Sequence, residues 1–242
     1  PTDTEVYHYS LPDLKLCSVY SHPCFHNIHS VHIIDDELIV SSTGLDNVVV
    51  LDKYNGQIKR IINTLGNDPW YCFDRETDYR LIHSTRPHKS HPNFVFKVDN
   101  ELWATRCTQE DAVNLSNVED CIDISMGGDI SVHDGVWWND QLVFTRVDGK
   151  LVFCDTKKRK VIETYDLFGD VLNRPMGWCR GLHVDGDMFY IGYSKLRKTN
   201  LKSKINFICD MKNYLIIGGG ITGITIAHKI HSRNLTFDLV DD

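Results

Sequence analysis

The sequence predicts a mainly β protein, a β-propeller followed by a partial Rossmann βαβ unit. A hairpin pattern recurs four times in register, and flanking runs extend it to four-stranded units with a period of about 40 to 50 residues, the spacing of propeller blades. After Met211 the pattern changes to glycine-rich strand, turn and helix signals.

The four copies are "HSVHIIDDELIVSS" from His29, "NFVFKVDNELWATR" from Asn93, "HDGVWWNDQLVFTR" from His133 and "CRGLHVDGDMFYIG" from Cys179. Each is an apolar stretch, a two-residue turn and a second apolar stretch. The turns, Asp35-Asp36, Asp99-Asn100, Asn139-Asp140 and Asp185-Gly186, are of the residue types that accept positive φ. The first copy continues through "NVVVLD", "KYNG" and "QIKRII", and the third through "GKLVFCD", "TKKR" and "KVIETYDL". A sandwich of unrelated hairpins would not explain this register. Residues 67–92 are an insertion, expected as a long loop on one face, and Val6 to Ser10 and Leu14 to Tyr20 are expected as strands that either complete a blade or belong to one whose beginning is missing.

With 242 residues, 42% hydrophobic and 24% charged, the chain reads as an ordinary globular protein. A formal charge of -7 argues against nucleic acid or an anionic membrane as partner. The eight cysteines are scattered without zinc spacing and the N-terminus is polar, so reduced thiols and a cytoplasmic location are expected. The oligomeric state is not legible in the sequence.

Side chains alternate along a strand, so His29 and His32 are expected on opposite faces. His32 aligns with Val136 and Leu182 and is expected as a packed histidine between blades, while His22 and His26, in the preceding connection, are expected to be exposed. His29, Asn93, His133 and Cys179 begin equivalent strands and are expected to ring a central channel. Arg106 and Arg146 end equivalent second strands on the same face, joined there by Arg180, Lys195 and Arg197. Guanidiniums and imidazoles at a channel mouth suit a carboxylate or phosphate, so the expected ligand is an anionic small molecule or a glycan. The alternative is that these arginines pair with acids of neighbouring loops. Two histidines with Cys and Asn are an unusual metal set, so no metal is expected. A Cys179 thiolate with His133 as base is a catalytic alternative.

"CRGLHVDGDMFYIGYSKLR", with its R-G-L, G-D and G-x-S-K-x-R elements, resembles a bacterial family of uncharacterised propeller-like proteins, and the likeness extends loosely over residues 25–200. That resemblance implies a propeller and carries over no established activity. The propeller pattern itself stops near Phe207, so the propeller-like domain is expected over residues 1–207.

Residues 211–242, "MKNYLIIGGGITGITIAHKIHSRNLTFDLVDD", read as a truncated dinucleotide-binding unit. Gly218, Gly220 and Gly223 form G-x-G-x-x-G, helical spacing is expected from Ile221 to Ser232, and Asp241 would take the ribose hydroxyl. The segment resembles the N-terminus of FAD-dependent oxidoreductases, including the amine-oxidase and UDP-galactopyranose-mutase type. That implies FAD as cofactor, but too little of the sheet is present to hold it. Two functions stay open: a binding or scaffold propeller, and an FAD-dependent oxidoreductase represented by its first segment alone.

Overall fold

The computed structural model describes residues 1–127, 130–167, 177–186 and 188–194, and the backbone of strands within 215–238. The chain divides into two compact units, Pro1–Val132 with Thr156–Lys160, and His133–Asp155 with Val161–Asp242.

The first unit contains a hairpin, β1 (Val6–Tyr9) with β2 (Leu16–Tyr20), and two four-stranded antiparallel meanders. The first is β3 (Ile28–Ile34), β4 (Glu37–Ser42), β5 (Asn47–Asp52) and β6 (Ile58–Asn63). The second is β7 (Pro92–Val98), β8 (Glu101–Arg106), β9 (Asp111–Asn114) and β10 (Cys121–Asp123). Strand β5 shows why these sequences form buried blades. Its run Val48, Val49, Val50, Leu51 is 0% exposed throughout, and the alternation of a strand divides it between two cores. Val49 and Leu51 pack with Phe25, Val40 and Leu45, whereas Val48 and Val50 pack with Ile39 and with Val95, Ala104 and Val113 of the second meander.

In the second unit β11 (Val132–Trp138), β12 (Gln141–Arg146), β13 (Lys150–Asp155) and β14 (Lys160–Asp166) form the third meander, and β15 (Trp178–Asp185) pairs antiparallel with β16 (Met188–Ser194). Phe153, Leu182, Phe189 and Ile191 fill its core, with Trp138 edge-on to Phe153 and Phe189.

The hairpin turns fall where the sequence places them in three copies: Asp35, Asp99, Asn100, Asn139 and Asp140 all have positive φ. In the fourth the turn sits one residue later. Asp185 still pairs with Met188, and Gly186 takes the left-handed conformation.

The expected βαβ unit is corrected. Where helical spacing predicts a helix over Ile221 to Ser232, the described backbone is a strand, β18 (Gly223–His231), antiparallel to β16, to β17 (Leu215–Gly220) and to β19 (Asn234–Asp238). The β-branched "ITI" after Gly223 accepts a strand as readily as a helix. Gly218 and Gly220 lie in β17 and Gly223 opens β18, so these glycines do not form a strand-to-helix turn. Asp241, Lys195, Arg197 and the expected boundary between residues 207 and 211 lie outside the described residues.

The insertion is joined to the first meander by polar contacts. Asp46, 2% exposed and itself at positive φ, accepts the backbone N–H groups of Lys89, Ser90 and His91 at 2.8, 2.9 and 2.7 Å. Thr85 donates to the Gly44 carbonyl, Thr43 to that of Pro92, and the His26 ring bonds the Ile82 carbonyl at 2.9 Å. Gly44 is required here by close approach, because a Cβ on it would sit 1.9 Å from His26 Nδ1. Gly44→Ala is therefore expected to lower stability by about 1 to 3 kcal/mol, the range for overpacking. Thermal denaturation would check this, and adding His26→Ala should recover part of the loss if the clash is its cause.

Candidate functional site

The antiparallel registers bring one set of chain segments to one end of the first unit. Ile28 faces Ser42 and Asn47 faces Asn63, so the start of β3, the β4–β5 connection and the end of β6 lie together. The insertion leaves from that end and returns to it at β7. This is the end to which the sequence assigns a ligand.

A β-bulge shapes it. Ile28 pairs with Ser42 but Val31 with Val40, which leaves His29 and Ser30 opposite Ser41 alone. Pro92 pairs with Arg106 and Val95 with Ala104, leaving Asn93 and Phe94 opposite Thr105. The register of β15 shifts at the same place, between Cys179 and Gly181. A bulge leaves one residue without a ladder partner and re-aims its side chain. Hydroxyls brace it: Ser30 bonds Ser41 at 2.8 Å, and the N–H groups of Phe94 and Asp134 donate to Thr105 and Thr145 at 3.1 and 3.0 Å.

His29, Asn93, His133 and Cys179 each occupy the second position of β3, β7, β11 and β15, as the repeat predicts. His29 and Asn93 meet in the first unit, with His29 Nδ1 2.7 Å from Asn93 Oδ1. The Asn93 amide N–H donates to the Val132 carbonyl at 2.8 Å, so its oxygen is left to accept and His29 Nδ1 carries the proton. His32 packs edge-on against Phe94, at 4.2 Å between ring centroids, as expected of a histidine between blades.

In the second unit His133 Nδ1 lies 2.7 Å from Asp134, whose other oxygen accepts the Leu182 N–H at 3.1 Å. Thr145 donates to the Arg180 carbonyl at 2.8 Å. Cys179 is 0% exposed, and burial pushes its thiol far above the usual range, which disfavours the nucleophilic thiolate.

The arginines take the alternative role. Arg106 is 7% exposed, and its Nε and Nη2 bond Asp111 at 2.8 and 2.5 Å while Nη1 donates to the Thr64 carbonyl at 2.9 Å. Arg146, 4% exposed, bonds Asp148 at 3.2 Å. A buried guanidinium must be paired, and the acid that pairs Arg106 occupies the edge that would clamp an anion. His22 and His26 also differ from expectation. His22 bonds the Gly56 carbonyl at 2.8 Å, and His26 is buried because Ile82 of the insertion covers it.

The cleft at this end is built by the insertion. A pocket of about 620 Å³ is lined by Asp3, His26, Arg80, His83, Arg86 and His88, among others. Arg80 is held by Asp78 through bonds of 2.8 and 2.7 Å, which makes it part of the wall. The Arg86 guanidinium, on an exposed residue, has no hydrogen bond or ion pair among the described residues. Burial holds the His88 imidazole below its usual value, opposed by the nearby Asp46 carboxylate and reinforced by Arg86 and His26. These residues were missed because the insertion has no counterpart in the other repeats. The available signal was its own density of cationic side chains, in "RLIHSTRPHKSHP".

Among the described residues no group of three or more His, Cys, Asp or Glu is placed to hold a metal ion, and none of the seven described cysteines is in a disulfide. No described helix is long and apolar enough to cross a membrane.

No family model matches the chain, and no curated protein matches it significantly. Among solved structures it is similar to the β-propeller domain of Cps50 (Swd1) from Myceliophteria thermophila, at TM-score 0.52 and 12% identity over 83% of this chain and 62% of that one. It is also similar to the WD40 domain of Neurospora crassa Pan2, at TM-score 0.52 and 11% identity over 84% of this chain and 54% of that one. The chain thus spans less than two thirds of either domain. At these identities the likeness is one of fold, and the fold is that of a β-propeller.

Proposed function

We propose that the chain is a propeller binding module whose ligand, an anionic small molecule or glycan, is taken at the pocket framed by the insertion. The observation that carries this reading is the uncommitted Arg86 guanidinium on the wall of a polar pocket that also presents His83 and His88. Arg offers a planar fork matched to carboxylate and phosphate, and imidazoles add donors. Long loops without regular structure, held on a rigid scaffold, are where binding functions concentrate. The fold supports a scaffold role, since the meanders supply rigid walls and the insertion supplies the variable part. In this reading Arg106 and Arg146 maintain the end of the blade and do not touch the ligand. The flavoprotein alternative rests on residues 211–242, where the described strands give it no support.

Two substitutions separate ligand binding from architecture. With inorganic phosphate and glucuronate as probes, Arg86→Ala is expected to weaken binding by about 1.5 to 3 kcal/mol, the range for hydrogen bonds to a charged group, with thermal stability unchanged. Calorimetric titration would measure it, and equal affinity for both proteins would remove the pocket from consideration. Arg106→Ala is expected to cost about 3 to 5 kcal/mol of stability, because Asp111 is left buried without its partner, and denaturant unfolding reports that loss directly.

A further inference from the structure

Beside the pocket wall the side chains of His88 and His91 face each other through the same ring atom, Nδ1 to Nδ1 at 2.7 Å. Two imidazole nitrogens at this distance need one hydrogen between them, so one ring donates and the other accepts. A pair with both Nδ1 atoms protonated would point two N–H groups at each other and set two positive charges side by side. The contact therefore exists only while the pair holds fewer than two extra protons.

The surroundings decide the outcome when that limit is passed. His91 also meets His29 edge-on, with ring centroids 4.7 Å apart, and His29 is fixed as an Nδ1 donor by Asn93. Arg86 adds positive charge near His88, and the Asp46 carboxylate opposes it. That carboxylate holds the backbone of Lys89, Ser90 and His91. The histidine pair and the Asp46 clamp are thus parts of one segment, and His88 is both a member of the pair and a wall of the pocket.

We propose that His88 and His91 form a proton-sharing latch that makes the seating of residues 88–91, and with it the pocket wall, dependent on pH. At neutral pH the shared hydrogen closes the latch. As pH falls both rings charge, the Nδ1 contact breaks, and the segment loosens from Asp46. The sign agrees with the burial of His88. A histidine whose folded form resists protonation contributes stability above the ordinary histidine range, and that contribution is lost as pH falls through and below it. The effect on ligand rests on the pocket reading, but the latch itself does not.

The test uses the whole chain without ligand. Amide hydrogen exchange of Lys89, Ser90 and His91, corrected for intrinsic rates, would be followed from about pH 7.5 to about pH 5, where histidines charge. Protection is expected to fall at least tenfold in the wild type and to change little in His88→Gln, which cannot accumulate two charges. An equal fall in both proteins, or none in the wild type, overturns the latch. In parallel, imidazole nitrogen shifts of the wild type should show the pair titrating in two separated steps. Two coincident ordinary titrations would overturn it even if the variant did not fold. Loss of phosphate binding with the latch intact would count against the pocket reading alone.

Discussion

Strands β4 and β5 each have to satisfy two cores at once. Val49 and Leu51 face the cluster around Phe25, and their neighbours Val48 and Val50 face that of Ile39 and Val95. A slip of one residue would exchange the two sets, so the register of β4 on β5 is fixed by packing on both sides. The left-handed turn residues belong to the same constraint. Asp99-Asn100 and Asn139-Asp140 reverse the chain in two residues without lengthening either strand, which keeps each copy in phase with its core.

That rigidity sets where irregularity can be tolerated. The bulges occur near the start of the first strand of a copy, beyond the two-sided core, where Ser41, Thr105 and Thr145 provide hydroxyl groups as partners. There His29 and Asn93 turn toward each other and the buried Arg106–Asp111 pair closes the end of the second meander. Polar chemistry collects at this end because backbone groups leaving a ladder need partners, and side chains supply them.

The insertion depends on the same chemistry. Its first part packs Trp70, Phe73 and Tyr79 on the core around Phe25, whereas the stretch from Ile82 to Pro92 is tied down by polar contacts to Asp46, His26, Thr43 and Gly44. A segment held by one carboxylate and a few hydroxyls responds to protonation more readily than one held by a hydrophobic core, whose energy does not change with pH. This difference places the adjustable part of the molecule on the insertion and leaves the blades as its support.

The sequence by itself determined the repeat: four copies in phase, their turns, and the equivalence of His29, Asn93, His133 and Cys179. These are local properties, set by strand alternation and by residues that accept positive φ. It also determined which end of the blade carries polar chemistry. Only the tertiary structure decided which cations are committed. Arg106 and Arg86 are alike as letters, yet one is buried against Asp111 and the other borders an open pocket, because pairing depends on contacts between distant segments. The same holds for His26, which becomes buried when the insertion folds over it, and for "GITI", where glycine spacing suggested a helix and the described backbone takes up an antiparallel sheet with β16. Burial and strand pairing are set by neighbours far along the chain, and no short stretch of sequence contains them.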